Sequence, residues 1–368
     1  MKILIVKLSA IGDVIHTLPA AVALRRHWPD ARIDWVVETA AAGLLEGHPA
    51  LDRLLVSHRK RWVRELRNAE TRPRAWTEIR RFFRHIRRER YDLVIDFQQL
   101  LKSASVVLAA RGKIKAGFGP GMQHMEGSYR VLNRRIPAVS MEIHALDRYR
   151  WLIEALGVPP GPVEYRWPIS EAAERSVAEL LIRSGIRGGT PLIALNPAAT
   201  WETKHWTDAA FAEVGDRLAR ETGAALVFTG GPGDGPAVSR VRDRMTARSF
   251  DLSGQTNLRE LAALLRRVRL LVTTDTGPMH LAAAVGTPTL AVFGPTAPWR
   301  TGPYGEGHAV VRKGLECSPC FKRVCPLGHR GCMEWLGADE VAGAALQGVL
   351  GGQTGRQDWP HSALCGAH

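Results

Sequence analysis

Arg269-Leu-Leu-Val-Thr-Thr-Asp-Thr-Gly-Pro-Met-His-Leu-Ala-Ala-Ala-Val-Gly-Thr-Pro288 is the stretch whose reading decides the fold. Leu270, Leu271 and Val272 form a short apolar run, which suits a parallel strand covered on both faces. Asp275-Thr276-Gly277 breaks the run. Pro278 follows where a first helical residue belongs, because the N–H it lacks would find no helical partner there. His280-Leu-Ala-Ala-Ala-Val then carries a helix to Gly286. A strand therefore ends against a helix N-terminus, whose free N–H groups and partial positive charge suit a phosphate. Asp275 beside it could accept hydrogen bonds from ribose hydroxyls. Equally, Asp275 and Thr276 could do no more than cap the helix.

Outward from this unit, strands and helices alternate. Strands are expected at 2–6, 33–38, 53–57, 91–96 and 114–119. A helix over 14–28 must hold Pro19 in its first turn or two. An amphipathic helix over 76–90 places Ile79, Phe82, Phe83 and Ile86 on one face and arginines on the other. Gly157-Val-Pro-Pro-Gly-Pro162 reads as a linker. The pattern then restarts, with helices at 171–183 and 208–220 and strands at 192–196, 225–229 and 290–294. Such alternation argues for α/β architecture with parallel, helix-covered sheets. Two doubly wound Rossmann-like domains are expected, at 1–160 and 161–350, facing across a cleft. A polar, Gly-rich tail at 351–368 should be flexible. Ligands in such sheets bind at the carboxyl ends of the strands.

The 368 residues suffice for two full cores. No apolar run approaches the roughly 20 residues of a membrane span. The opening Met-Lys-Ile-Leu-Ile-Val-Lys is closed by Lys7 with no cleavage region, so it reads as a strand and not an export signal, and a cytoplasmic location is expected. The net charge is +14, and residues 59–90 alone hold 13 Lys or Arg against 4 Asp or Glu. That excess points to an anionic partner, such as acidic lipid headgroups or an anionic acceptor, or else to a solvated basic helix face. Without a helix-turn-helix or RNP-type pattern, and with few aromatics among the basic residues, nucleic acid is disfavoured. Cysteines 317, 320, 325 and 332 cluster and Cys365 stands alone, which is no secreted disulfide framework.

No G-x-G-x-x-G follows the first strand, no P-loop occurs, and no two aspartates stand as D-x-D. A transferase built on a D-x-D-held metal is disfavoured. Asp13 lies just past the first strand, as an N-cap or as a general base at the mouth of the cleft. In Asn196-Pro-Ala-Ala-Thr-Trp-Glu-Thr-Lys-His-Trp206, Thr200 could bind a phosphate oxygen and Lys204 could neutralise a leaving diphosphate, or Lys204 could be a plain loop lysine. Thr229-Gly-Gly-Pro-Gly-Asp234 could let backbone approach a nucleotide, with Asp234 on a ribose, or could be a turn. Together these loops suit transfer from a nucleotide-activated donor to an anionic acceptor. The spacing of Cys317, Cys320, Cys325 and Cys332 is near that of a structural zinc knuckle without matching it, and the transfer chemistry needs no metal.

Val6-Lys-Leu-Ser-Ala-Ile-Gly-Asp-Val-Ile-His-Thr-Leu-Pro-Ala20, Asp34-Trp-Val-Val-Glu38, Asp96-Phe-Gln-Gln-Leu-Leu-Lys-Ser-Ala104, Lys204-His-Trp206 and Asp275-Thr-Gly-Pro-Met-His280 together resemble the heptosyltransferases of glycosyltransferase family 9, nearest the type I members. The resemblance runs over about residues 1–340. It implies a GT-B fold, an ADP-heptose donor, inverting metal-independent transfer, and a Kdo–lipid A acceptor at the inner membrane face. By position it makes Asp13 the catalytic base and Lys204 and Thr200 the diphosphate contacts. Asp275, Thr276, Gly277 and His280 become donor contacts, as does Asp234, where type I members have glutamate. Lys60, Arg61, Arg64, Lys102 and Ser103 fall at the anionic acceptor. Ala199 in place of threonine and Gln99 in place of glycine depart from the type I pattern. A type II enzyme acting on a heptose acceptor, or a GT-B nucleotide-sugar epimerase, are the alternatives.

Overall fold

The computed structural model describes residues 1–122 and 126–352. The tail expected at 351–368 lies, from residue 353, outside the described residues, as does Cys365. The chain divides into two units, one spanning Met1–Pro168 and the next beginning at Ile169.

The first unit is a parallel sheet of β1 (Lys2–Val6), β2 (Arg32–Glu38), β3 (Arg53–Ser57), β4 (Arg90–Asp96), β5 (Arg111–Phe118) and β6 (Arg134–Ile136). The strand order is β3-β2-β1-β4-β5-β6. Helices α1 (Ile11–His27), α2 (Thr39–Leu45), α3 (Arg59–Glu65), α4 (Arg72–Arg88), α5 (Leu101–Ala109) and α6 (Ala145–Glu154) connect and cover it. Ile3 to Val6 are wholly buried, as a central strand covered on both faces requires. Leu4, Val6, Val36 and Val94 pack against Ile86 of α4 and Val107 of α5. Each such side chain contributes on the order of 1.5–3 kcal/mol.

The second unit repeats the plan. Its strands are β7 (Leu192–Asn196), β8 (Ala225–Phe228), β9 (Ser249–Asp251), β10 (Leu270–Thr274), β11 (Thr289–Val292) and β12 (His308–Val311). The order β12-β11-β10-β7-β8-β9 is the first sheet's order seen from the other edge. Helices α7 (Glu171–Arg183), α8 (Asp208–Thr222), α9 (Gly235–Arg242), α10 (Leu258–Leu265) and α11 (Gly277–Ala284) link the strands. Their ends follow local chemistry. Ser170 and Thr207 cap α7 and α8 by accepting the Ala173 and Ala210 N–H groups, and Gly223 closes α8 in the left-handed conformation. In both sheets the chain reverses direction between the first and fourth strands, β1/β4 and β7/β10. That switch point is where such sheets bind ligands.

Two expectations change. Helix α1 begins at Ile11, so Pro19 lies well inside it, not in its first turns. The helix starts earlier because the Asp13 carboxylate reaches back to the Ala10 N–H at 3.0 Å and secures the first turn. The edge strands β6, β9 and β12 were not foreseen. Each is three or four residues long, too short to show a period in the sequence.

Candidate active site

In the first unit the site forms where β1 and β4 end. Asp13 sits in the first turn of α1, so it is not the N-cap residue itself. Its Oδ2 accepts the Ala10 N–H, and its Oδ1 lies 3.7 Å from Lys7 Nζ. The Asp13 side chain is 38% exposed while Lys7 is 3% exposed, so a buried ammonium orients a carboxylate that solutes can reach. Lys7 Nζ also donates to the Phe97 carbonyl at 3.1 Å and to Tyr149 Oη at 2.5 Å. Burial works against the Lys7 ammonium, but Asp13 and Tyr149 together hold its pKa above the ordinary value.

The β4–α5 loop frames this group from below. Asp96 Oδ1 accepts the Gln98 and Gln99 N–H groups, both at 3.0 Å, and Oδ2 accepts the Ser103 hydroxyl at 3.0 Å. Burial pushes the Asp96 carboxyl up to about 6, against the opposing pull of those donors and of Lys7. Gln98 Oε1 in turn accepts the Leu8 and Ser9 N–H groups at 3.0 and 2.9 Å, fixing the loop that precedes Asp13. Lys102 donates to the Ser9 hydroxyl and lies 3.9 Å from Glu38, which also holds Arg59 at 2.9 Å. Partial burial lowers the Lys102 pKa despite Glu38. Ser103 is wholly buried, its hydroxyl engaged with Asp96 and the Leu100 carbonyl. Lys60 and Arg64 are exposed on α3, whereas Arg61 is ion-paired with Glu78 of α4.

In the second unit the groups gather where β7 and β10 end. Asp275 is buried, with Oδ2 taking Lys204 Nζ at 2.6 Å and the Thr296 hydroxyl at 2.7 Å. Lys204 also donates to the Asp275 carbonyl at 3.2 Å and lies over the Trp201 ring, 4.6 Å from its centre. His280 Nε2 is 3.9 Å from Asp275 Oδ1. Neither Asp275 nor Thr276 caps α11 through its side chain, so the capping reading falls away. Thr276 directs its hydroxyl to Thr273 and the Thr274 carbonyl instead. Gly277 opens α11 with Pro278 in its first turn. Thr200 is exposed just before Trp201. Asp234 bonds the Gly231 N–H at 2.7 Å and so closes the Gly-rich loop on itself. The structure thus brings Lys204, Asp275, Thr276, Gly277 and His280 together.

A model of glycosyltransferase family 9 (heptosyltransferase) matches residues 79–330. The chain belongs to this family. It is a glycosyltransferase of α/β fold, with two parallel six-stranded sheets as in GT-B enzymes. It is 34% identical to lipopolysaccharide heptosyltransferase 1 of Pseudomonas aeruginosa, over 88% of this chain and 87% of that one. With the Salmonella typhimurium heptosyltransferase 1 the identity is 30%, over 87% of this chain and 95% of that one. Among solved structures, the E. coli heptosyltransferase WaaC with ADP superposes with a TM-score of 0.73 at 26% identity, covering 94% of this chain and 99% of that one.

Sequence reasoning gave no role to Lys7, Tyr149 or Glu38. A lysine in a buried strand was the one available signal for Lys7, since an uncompensated buried ammonium is rare. Cys317, Cys320, Cys325 and Cys332 are free thiols lining one cavity of about 20 Å³ with His329. Among the described residues no three His, Cys, Asp or Glu side chains are placed to hold a metal ion.

Proposed function

We propose that this glycosyltransferase moves a heptose from ADP-L-glycero-D-manno-heptose to the Kdo–lipid A inner core during lipopolysaccharide synthesis. The observation that carries the reading is the 34% identity, over nearly nine-tenths of both chains, with an enzyme named lipopolysaccharide heptosyltransferase 1. Asp13 acts as general base, removing the proton of an acceptor hydroxyl as that oxygen attacks the anomeric carbon opposite the diphosphate. Attack from that side inverts the configuration. Lys204 and the N–H groups at the start of α11 take up the charge of departing ADP. Asp275 holds the Lys204 ammonium at 2.6 Å, beside the start of α11 where the departing phosphate charge is to be met. Thr200, Asp234, Thr276, Gly277 and His280 line the donor, and Asp275 fixes Lys204 and receives a donor hydroxyl. Lys60, Arg61, Arg64 and Lys102 meet the anionic acceptor, with Ser103 supporting them through Asp96. No step uses a metal, and activity should survive chelation. The enzyme works at the inner face of the cytoplasmic membrane, where its acceptor resides.

The test is incubation with ADP-heptose and Kdo-bearing lipid A, following acceptor mass. Gain of one heptose is expected. Gain only on an acceptor that already carries heptose would assign the type II reaction instead. Consumption of donor without any acceptor would assign an epimerase.

A further inference from the structure

Helix α4 carries seven arginines and one acidic residue, Glu78. Glu78 is already engaged by Arg61, Arg74 and Trp62, so the remaining positive charge of the helix is uncompensated by its own element. Among the described residues none of Arg80, Arg84, Arg87, Arg88 or Arg111 is in an ion pair. These five line an open groove of about 830 Å³. Its floor is apolar, made by Trp76, Ile79 and Phe83. Trp76 is 50% exposed, and Leu108 on the neighbouring α5 is 68% exposed. Arg111 continues the groove into a second one that holds Arg90, Lys113 and Lys115. Those residues lie at or near the starts of β4 and β5, the end of the sheet opposite Asp13. The groove is therefore separate from the reacting centre, by about the 20 Å length of a strand.

We propose that this flank of the first unit, along α4 and the start of β5, docks on the anionic headgroup layer of a phospholipid bilayer. The inference deepens the functional reading above, since a lipid-borne acceptor brings the enzyme to a bilayer. Charge complementarity names the partner. Five unpaired guanidinium groups meet lipid phosphates, their aliphatic stems lie along the apolar floor, and Trp76 takes the interfacial position that tryptophan favours. A helix of 17 residues lying flat is about 25 Å long, enough to seat one face across several headgroups. Glu78 ties α4 to Arg61 on α3, and Trp62 packs on Phe82 with ring centres 5.4 Å apart. These contacts fix α4 to the helix that carries Lys60 and Arg64.

Co-sedimentation with vesicles of phosphatidylethanolamine and phosphatidylglycerol, and with phosphatidylcholine vesicles, tests the assignment. The wild type should bind the anionic vesicles only. Arg80→Gln/Arg84→Gln/Arg87→Gln, all at exposed positions, should weaken that binding roughly a hundredfold, at about a factor of five per basic residue removed. Trp76→Ala should weaken it less. Turnover of an acceptor stripped of its acyl chains should be unchanged in the triple variant, while turnover of acceptor embedded in vesicles should fall. Undiminished binding of the triple variant, or equal binding of the wild type to both vesicle types, would overturn the proposal. So would duplex DNA binding the wild type more tightly than the anionic vesicles do. If vesicle binding is lost in the variant as expected but no acceptor gains heptose, the docking surface stands and the functional reading fails.

Discussion

Replacing Asp96 by asparagine keeps the shape of a buried acceptor and removes its charge. In the native protein burial raises the Asp96 carboxyl from its ordinary 3.8 to about 6. The folded chain therefore holds this proton more tightly than the unfolded chain does. The associated stability is fully present below about pH 4, is lost as pH rises through about 6, and is absent at pH 7. At 1.36 kcal/mol per unit, the buried charge costs on the order of 3 kcal/mol at neutral pH. Asparagine can still accept the Gln98 and Gln99 N–H groups with its oxygen, and its amide can donate to the Ser103 hydroxyl. Gln98 should stay in place and the loop before Asp13 with it. Chemical denaturation of both proteins at pH 4 and pH 7 measures the effect. The stability of Asp96→Asn relative to wild type should rise by up to about 3 kcal/mol between the two pH values. Activity should be largely retained. A relative stability constant to within about 0.5 kcal/mol across that range would refute the reasoning, because no buried charge would then be titrating.

Three further outcomes are expected. Lys204→Met should lower turnover by about 10²-fold or more through lost stabilisation of the leaving diphosphate, and should also lower the melting temperature by stranding buried Asp275; Lys204→Arg should restore the melting temperature more than the turnover. Ser103→Ala should destabilise the fold by about 1–3 kcal/mol and leave the acceptor KM nearly unchanged, since its hydroxyl serves Asp96; a large KM effect with no loss of stability would place Ser103 on the acceptor itself. Among the clustered cysteines, N–H groups of Arg330, Leu327, Gly328 and His329 lower the Cys325 thiol pKa, while burial raises that of Cys332. Timed alkylation near pH 8 with peptide mapping should label Cys325 before Cys332, and the reverse order would contradict the placement of those donors.

The sequence made the parallel architecture legible because the central strands are continuous apolar runs, Ile3 to Val6 and Leu270 to Val272, each entering a helix. It located Asp13, Lys204 and Asp275 because strand ends in such sheets are where polar residues converge. It did not reveal how those residues are held. Lys204 and Asp275 are 71 positions apart, and their 2.6 Å pairing exists only once β7 and β10 lie side by side. Lys7 and Tyr149 meet across 142 positions, once α6 has packed against α1. Pro19 misled because a proline inside a helix is disfavoured locally, whereas α1 is fixed by burial along most of its length. The basic stretch at 59–90 was visible as charge, but its division into an ion-paired part around Glu78 and an unpaired groove depends on how α3 packs on α4.

The measurement that bears most directly on the account is single-turnover heptose transfer by wild type and Asp13→Asn, both preloaded with ADP-heptose and mixed with Kdo–lipid A. Loss of a positioned base should slow the variant by about 10²–10⁴-fold with donor binding unchanged. Transfer by a folded Asp13→Asn at the wild-type rate would contradict the assignment of Asp13 and the mechanism built on it.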